Sequence, residues 1–255
     1  MELNEKEFAD KACNFLKDYM AKNNIEKVVI GLSGGIDSAV ALALAERAIG
    51  ADRIIAVMMP NGEAGGKSRD HAVTVAKKFE VKDLREVDIS PAVNAFKEIL
   101  KTDNGKCIGN IAARSRMITL YDTAAREKAI VLGTENKTEH YFAYFTKAGD
   151  EVSDIELIRD LYKTQVRQLA RFLGVPKEII EKPPTADLWE GQTDEDELGI
   201  TYETADRIIK GLVEDGKSER ELIGQGLKKR DIETVKKRMA DIAFKLQEVP
   251  CPVNT

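Results

Sequence analysis

Short apolar runs alternate with amphipathic stretches through the first two thirds of the chain. The runs at 28–32, 54–59 and 129–132 consist mainly of Val, Ile, Leu, Ala and Met, which is typical of strands buried on both faces. Weaker strand candidates lie at 84–88 and in the apolar positions of 155–161. Helical periodicity fills most intervals, at 4–23, 36–50, 68–79, 109–128 and 163–173, with a further helix opening at 90. This alternation predicts an α/β fold, a Rossmann-like parallel sheet flanked by helices.

The last third of the chain has a different pattern. Polar helices are predicted at roughly 201–214, 218–226 and 229–246, which gives the fold a helical C-terminal part. Two stretches lack periodicity: the polar loop 102–108 and the acidic segment 182–199, which we interpret as a lid. With no repeat and no low-complexity linker, 1–255 is expected to form a single domain.

A glycine-rich turn separates the first predicted strand from the helix that follows it. Ser33-Gly34-Gly35 brings bare backbone N–H groups and a helix N-terminus to one place, an arrangement that binds phosphate. Neither the Walker A pattern nor the Gly-x-Gly-x-x-Gly dinucleotide pattern fits these glycines. On the residues alone, the turn is either a phosphate site or an ordinary tight connection.

Composition narrows the possible partners. The 255 residues are 43% hydrophobic and 33% charged, with a net charge of −5, so there is no basic surplus for nucleic acid. No apolar run reaches membrane-spanning length and no leader pattern opens the chain, so we expect a cytoplasmic protein. The three cysteines are far apart and there are only two histidines, which argues against a zinc site.

Four segments in order resemble ammonia-dependent NAD synthetases, which are ATP pyrophosphatases. They are Gly-Leu-Ser-Gly-Gly-Ile-Asp-Ser at 31–38, Gly-Asn-Ile-Ala-Ala-Arg-Ser-Arg-Met at 109–117, Gly-Thr-Glu-Asn-Lys-Thr-Glu at 133–139 and Lys-Pro-Pro-Thr-Ala-Asp-Leu-Trp-Glu-Gly-Gln-Thr-Asp-Glu at 182–195. The first segment is shared with other ATP pyrophosphatases, whereas the second and fourth are specific to NAD synthetases. The resemblance implies a ligase that uses ATP to amidate deamido-NAD with ammonia through an adenylated intermediate, releasing AMP and pyrophosphate in the last step of NAD biosynthesis.

The resemblance also implies roles for individual residues. Asp37 and Lys163 match catalytic positions, and Asp37 and Glu139 match the ligands of a magnesium ion. From the residues alone, the alternative for the two carboxylates is that they are acids that favour a helix N-terminus. The positions that match ATP contacts are Gly31, Leu32, Ser33, Gly34, Gly35, Ile36, Asp37, Ser38, Thr134, Lys163 and Thr185.

The second substrate of the family, deamido-NAD, lies at a dimer interface, so the resemblance implies a homodimer. Arg114, Lys147, Asp154 and Lys245 match contacts to this substrate, with an ordinary surface role as the alternative for the first three. Where the family usually has a His-Lys pair, this chain has Phe244-Lys245. We expect no glutaminase domain, because the chain has no room for one. Free ammonia is then the expected nitrogen source, and the alternative is ammonia supplied by a separate amidase chain. The alternative function is another ATP pyrophosphatase activity, such as GMP-synthetase-like amidation.

Overall fold

We describe the protein from a computed structural model, for residues 1–62, 66–182, 198–247 and 250. Among these residues, five parallel strands form one sheet in the order β3-β2-β1-β4-β5. They are β1 (Val28–Gly31), β2 (Ile54–Met58), β3 (Asp83–Glu86), β4 (Ile130–Gly133) and β5 (Ile155–Glu156). The predicted Rossmann-like parallel sheet is therefore confirmed. Since β2 and β4 pair with opposite sides of β1, the strand order reverses between β1 and β4, where ligands bind in such sheets.

Helices cover both faces of the sheet. In the described ranges they are α1 (Glu5–Lys22), α2 (Ile36–Ile49), α3 (Gly66–Lys78), α4 (Ser90–Leu100), α5 (Gly105–Glu127), α6 (Lys137–Tyr141), α7 (Lys163–Leu173), α8 (Lys177–Glu181), α9 (Tyr202–Ile209), α10 (Glu219–Gly224) and α11 (Lys229–Ile242). Alternate strand residues face opposite ways: Val28 and Ile30 join a core with α1, α2 and α7, whereas Val29 packs beneath α5. Burial of both faces explains why the three central strands, β1, β2 and β4, are apolar throughout rather than alternating.

The C-terminal helices build a second, smaller core. Tyr202, Ala205, Ile208 and Ile209 of α9 pack with Leu222 of α10 and with Ile232 and Val235 of α11. Phe142 and Tyr162 belong to the same cluster, so these helices are attached beside the loops that follow β4 and β5. The predicted helical C-terminal part is confirmed.

The structure corrects several predicted boundaries. Residues 102–108 are not wholly a loop, because α5 begins at Gly105, where the side chain of Asn104 accepts a hydrogen bond from the Cys107 N–H and caps the helix early. The short helices α6 and α8 were not predicted, since five residues are too few to show periodicity. Most of the predicted lid 182–199 lies outside the described residues. No helix of the described ranges is long and apolar enough to cross a membrane.

Candidate functional site

A cavity of about 460 Å³ opens at the carboxyl edge of the sheet, at the switch point between β1 and β4. Its walls come from the loop after β1, the end of β2, the first turns of α5 and the loops after β4. Five of the residues predicted to bind ATP line it: Gly31, Leu32, Ser33, Gly35 and Thr134. The strand–turn–helix pattern thus located the cavity correctly, because the carboxyl ends of parallel strands meet at one edge.

Residue 34 must be glycine in the turn that borders the cavity. Gly34 has φ +76°, and a Cβ atom at this position would lie 2.1 Å from the carbonyl oxygen of Ser68. The turn is braced by hydroxyls: Ser38 Oγ accepts from the Ser33 N–H at 3.3 Å, and Ser33 Oγ accepts from the Gly35 N–H at 3.2 Å. Ser38 Oγ also donates to the Gly35 carbonyl oxygen at 3.1 Å, so this hydroxyl holds the shape of the turn.

Three charged groups meet beside this turn. The Nζ of Lys163 donates to Asp37 Oδ2 at 2.5 Å and to Glu139 Oε1 at 2.9 Å. The lysine side chain is 3% exposed and each carboxylate is 18% exposed, so the ammonium lies behind the two acids, which reach toward solvent. Asp37 comes from the first turn of α2, Glu139 from α6 and Lys163 from the start of α7. The fold thus assembles both predicted catalytic residues and both predicted metal ligands.

The charge state of this triad follows from its contacts. Burial by itself would lower the pKa of the Lys163 ammonium, but the adjacent Asp37 and Glu139 carboxylates outweigh it and raise this pKa above its usual value. Lys163 is therefore a fixed positive charge at neutral pH. Replacing it by a neutral residue would leave two neighbouring carboxylates without a counter-charge.

Asn136 and Thr138 form part of the site although neither was predicted individually. Asn136 Nδ2 donates to Asp37 Oδ1 at 3.0 Å, and its Oδ1 accepts from the Glu139 N–H, capping α6. Thr138 Oγ1 accepts from the Lys163 N–H at 3.0 Å. Both lie inside the 133–139 segment that resembles NAD synthetases, so the segment was the signal that could have found them.

Asp206 and Tyr202 contact the same site from the C-terminal helices. Asp206 is fully buried and accepts a hydrogen bond from Thr138 Oγ1 at 2.5 Å, and the Tyr202 ring lies 5.2 Å from the Lys163 Nζ. In the sequence, the one feature that points to Asp206 is its position on the apolar face of a predicted helix. It lies four residues after Tyr202 and three before Ile209.

Two carboxylates in the first turns of α2 and α6, those of Asp37 and Glu139, are suitable ligands for magnesium. In the described ranges no group of three or more His, Cys, Asp or Glu side chains is placed so that it could hold a metal ion by itself. A cation between Asp37 and Glu139 would therefore take its other oxygen ligands from a bound nucleotide and water. Magnesium is commonly held in this way, by one or two carboxylates and substrate phosphates, so the residues present fit it.

Three of the residues predicted to bind deamido-NAD meet at the loop after α6. The guanidinium of Arg114 donates to the Lys147 carbonyl oxygen from Nε at 3.3 Å and from Nη2 at 3.1 Å. Lys245 Nζ donates to the carbonyl oxygens of Ala143 and Phe145, at 3.2 and 3.1 Å. The side chains of Arg114 and Lys245 thus fix the backbone of this loop, which presents the exposed Lys147.

Asp154, the fourth of these residues, joins β4 to α5. Its Oδ2 accepts from the Val131 N–H at 2.7 Å and its Oδ1 from the Tyr121 hydroxyl at 3.3 Å. Arg114 and Tyr121 are two helical turns apart on α5, so Asp154 lies along the same helix.

Five predicted ATP residues of the described ranges do not line the cavity: Gly34, Ile36, Asp37, Ser38 and Lys163. The side chain of Ile36 is buried in the sheet core, which leaves only its backbone to face a ligand. Thr185 lies outside the described residues. Three basic residues also line the cavity: Arg69, Arg116 and Lys182. Of these, the helical pattern of 109–128 pointed only to Arg116, which lies off the centre of the apolar stripe and can reach solvent or a ligand. Arg116 Nε donates to the Met59 carbonyl oxygen at 3.1 Å, and Lys182 Nζ donates to Ser68 Oγ at 2.8 Å.

Comparison with known proteins identifies relatives of the same length and fold. The NAD synthase family model matches residues 8–249. The NH(3)-dependent NAD(+) synthetase of Fusobacterium nucleatum subsp. nucleatum is 38% identical over 245 residues, covering 96% of this chain and 95% of that protein.

Two solved structures share the fold along nearly the whole chain. The structure of NMN synthetase from Francisella tularensis matches with a TM-score of 0.87 and 34% identity, covering 98% of this chain and 99% of that one. The NH3-dependent NAD synthetase from Campylobacter jejuni matches with a TM-score of 0.84 and 26% identity, covering 99% and 100%. The extent of the family match and the identity to its curated relatives place this chain in the NAD synthase family, as a ligase that forms a C–N bond.

Proposed function

We propose that this protein catalyses the ATP-dependent amidation of deamido-NAD with ammonia, giving NAD, AMP and pyrophosphate. The observation that carries the proposal is the meeting of Asp37, Glu139 and Lys163 beside the glycine turn, at the switch point of the sheet. The arrangement combines a phosphate-binding turn, oxygen ligands for magnesium and a fixed cation, which a reaction that cleaves ATP requires.

The reaction divides into two balanced steps. An oxygen of the nicotinate carboxylate attacks the α-phosphorus of ATP, the bond to the β-phosphate oxygen breaks, and pyrophosphate leaves. Ammonia then adds to the carbonyl carbon of the mixed anhydride, the bond to the AMP oxygen breaks, and the nitrogen loses a proton. Neither step needs a nucleophile from the enzyme, so catalysis consists of positioning two nucleotides and stabilising charge.

For ATP, we assign the phosphates to the turn 33–38 and its helix N-terminus, within reach of Thr134 and Lys163. The predicted contact by Thr185 belongs to the same proposal. Asp37 and Glu139 would hold magnesium, which when bound neutralises charge on the phosphate oxygens. Lys163 donates to both carboxylates, which reduces the repulsion between them, and adds positive charge behind them.

For deamido-NAD, we assign Arg114, Lys147, Asp154 and Lys245, with the substrate at the interface of a homodimer. This assignment is supported by the exposure of α5: Ile118 is 57% exposed and lies one turn after Arg114, on the same side of the helix. The neighbouring α4 carries further exposed apolar side chains, those of Phe96, Ile99 and Leu100. A second copy of the chain that covered these residues would also contact the substrate bound beside Arg114.

The direct test is to incubate the purified protein with ATP, magnesium, an ammonium salt and deamido-NAD. We expect NAD, AMP and pyrophosphate in equal amounts, measured by chromatography, with none formed when either magnesium or ammonium is omitted. A parallel reaction with xanthosine monophosphate tests GMP-synthetase-like amidation. Formation of GMP without NAD would disprove the proposal.

A second candidate substrate is the mononucleotide, nicotinate mononucleotide, whose amidation gives NMN. It is favoured by the similarity to the Francisella tularensis NMN synthetase, at 34% identity over 98% of this chain. The two candidates share the carboxylate and the chemistry and differ in the adenosine half of the dinucleotide. The ratio of kcat/KM for the two substrates distinguishes them, and we expect it to favour deamido-NAD.

A further inference from the structure

The carboxylate of Asp206 links three helices at the back of the site. It is fully buried on α9, where Oδ1 accepts a hydrogen bond from Thr138 Oγ1 at 2.5 Å and Oδ2 accepts from the Thr164 N–H at 2.9 Å. Thr138 Oγ1 in turn accepts from the Lys163 N–H at 3.0 Å. One side chain from the C-terminal part of the chain therefore ties α6 to α7.

These bonds satisfy the first turn of α7. The first N–H groups of a helix have no partner within the helix, and Lys163 and Thr164 are the first two residues of α7. Thr138 and Asp206 supply the missing acceptors from elsewhere in the fold. A carboxylate next to a helix N-terminus is also favoured by the helix dipole. Asp206 thus caps α7 across a gap of more than forty residues in the sequence.

The same helix also contacts the other end of the lysine. Tyr202 is fully buried one turn before Asp206, and its ring lies 5.2 Å from the Lys163 Nζ. Helix α9 therefore fixes the backbone of Lys163 through Asp206 and borders its ammonium through Tyr202. The rest of α9 is held in the C-terminal core, so that core is coupled to the position of the lysine.

We propose that Asp206 is a positioning residue for the amidation reaction, one that sets the starts of α6 and α7 so that Lys163 is held between Asp37 and Glu139. The proposal rests on the proposed role of Lys163 at the ATP site. This role needs a carboxylate at position 206, because its two oxygens accept hydrogen bonds from two donors, the Thr138 hydroxyl and the Thr164 N–H. Asparagine has nearly the same shape but turns an NH2 group toward one of the two donors.

The test compares the D206N, K163M and D206N/K163M variants of the full chain in the NAD-forming assay. We expect D206N to lower kcat by about 10- to 100-fold. This is the range seen when a residue that fixes the orientation of a metal-binding side chain through a hydrogen bond is replaced. If Asp206 acts through Lys163, adding D206N to K163M causes little further loss, since residues that act as a unit are not additive. The proposal would be overturned if the fold-loss of kcat in the double variant equalled the product of the two single losses, or if D206N had the kcat of the wild type.

Matched controls separate positioning from general destabilisation. L222A removes a fully buried side chain from the same C-terminal core, and D215N removes a carboxylate that pairs with Lys210 and Lys217 at the surface. Both are expected to keep kcat when assayed well below their unfolding temperatures. An equal loss of kcat in L222A would show that Asp206 supports only folding.

A second pair of variants tests the link if D206N does not fold. T138V keeps the shape of the side chain and removes the hydroxyl between Asp206 and Lys163, whereas T138S retains it. We expect kcat to fall in T138V and to recover in T138S; equal activity of the two would overturn the proposal. Failure of the proposed function is distinct from all these outcomes, because the wild-type protein would then form no NAD.

Discussion

At the scale of single residues, Asp37 is the group on which the site converges. It receives hydrogen bonds from Lys163 and from Asn136, one on each carboxylate oxygen, while its side chain remains 18% exposed beside the glycine turn. A carboxylate that only stabilised the N-terminus of α2 would need neither partner. This pattern favours the interpretation of Asp37 as a ligand-binding acid over its interpretation as a helix-terminal acid.

The D37N variant tests that interpretation. Asparagine preserves the size of the side chain and its compatibility with a helix start, so the unfolding temperature should stay close to that of the wild type. We expect magnesium-dependent turnover to fall by about 100-fold or more, since one charge-stabilising group is lost. Steady-state kinetics over a range of magnesium concentrations measure the change.

The matched control for D37N is D10N. Asp10 forms an exposed ion pair with Arg47, 2.8 Å long, on the side of the fold formed by α1 and α2. Its loss should alter neither turnover nor the magnesium dependence. If D37N also kept full turnover, Asp37 would have only its helix-terminal role.

The sequence predicted the residues of the triad but not the residues behind it. Asp37 and Glu139 stand in segments that resemble a family, and Lys163 matches a position of that family at the start of the predicted helix 163–173. Asp206 stands in a polar helix with no such resemblance, and its bond to Thr138 joins positions 68 residues apart. Local pattern carries no information about a contact of that range.

At the scale of elements, the turn after β1 is set by close backbone contact with the start of α3. Gly34 combines a positive φ with a Cβ position 2.1 Å from the Ser68 carbonyl oxygen, and Lys182 donates to the hydroxyl of the same serine. The glycine turn after β1 and the first turn of α3 are therefore packed together at the cavity. The Gly-Gly pattern predicted the turn, but the contact with Ser68 was visible only in the structure.

The G34A variant tests this packing, with G62A as its control. Gly62 has a similar φ of +72°, but a Cβ there meets nothing within 4 Å, so G62A measures the backbone strain alone. We expect G62A to lose about 1–2 kcal/mol of unfolding free energy and keep its KM for ATP. G34A should lose more and raise the KM for ATP at least about tenfold, because Ser68 must move. Urea unfolding and initial-rate kinetics measure both quantities; equal behaviour of the two variants would contradict the packing argument.

Element type was predictable where apolar periodicity ran for ten residues or more, and α7 has its predicted bounds, 163–173. Prediction was weakest where tertiary contacts end an element. Strand β5 is only Ile155–Glu156, although apolar positions continue to Leu161, because Leu157, Ile158 and Leu161 are buried by packing without sheet pairing. Hydrophobicity reports burial, and burial does not require a strand.

At the scale of the whole molecule, the alternation of strands and helices predicted the parallel sheet, and the reversal of strand order explains why segments 31–38 and 133–139 meet. Sequence order places them a hundred residues apart, whereas β1 and β4 are direct neighbours in the sheet. Helices α4 and α5 together leave an apolar surface exposed. Apolar side chains there are unfavourable in water and are expected to be covered in a stable assembly.

The I118E variant tests whether that cover is a second copy of the chain. Placing a charge at the centre of an apolar interface costs several kcal/mol because the charge is buried without a partner. We therefore expect wild-type protein to sediment as a dimer and I118E as a monomer at micromolar concentration. Since Arg114 lies one turn away on the same side of α5, the KM for deamido-NAD should rise about tenfold or more while the KM for ATP changes little.

The control for I118E is I223E, which introduces the same charge at an exposed isoleucine of α10. Ile223 is 42% exposed and belongs to the C-terminal helices, away from the residues assigned to deamido-NAD. The I223E substitution should change neither the sedimentation of the protein nor its KM for ATP and for deamido-NAD. A monomeric wild type, or a dimeric I118E with unaltered KM for deamido-NAD, would contradict the interface. A monomeric I118E that retained its KM would instead separate the dimer from the substrate site and place deamido-NAD within one subunit.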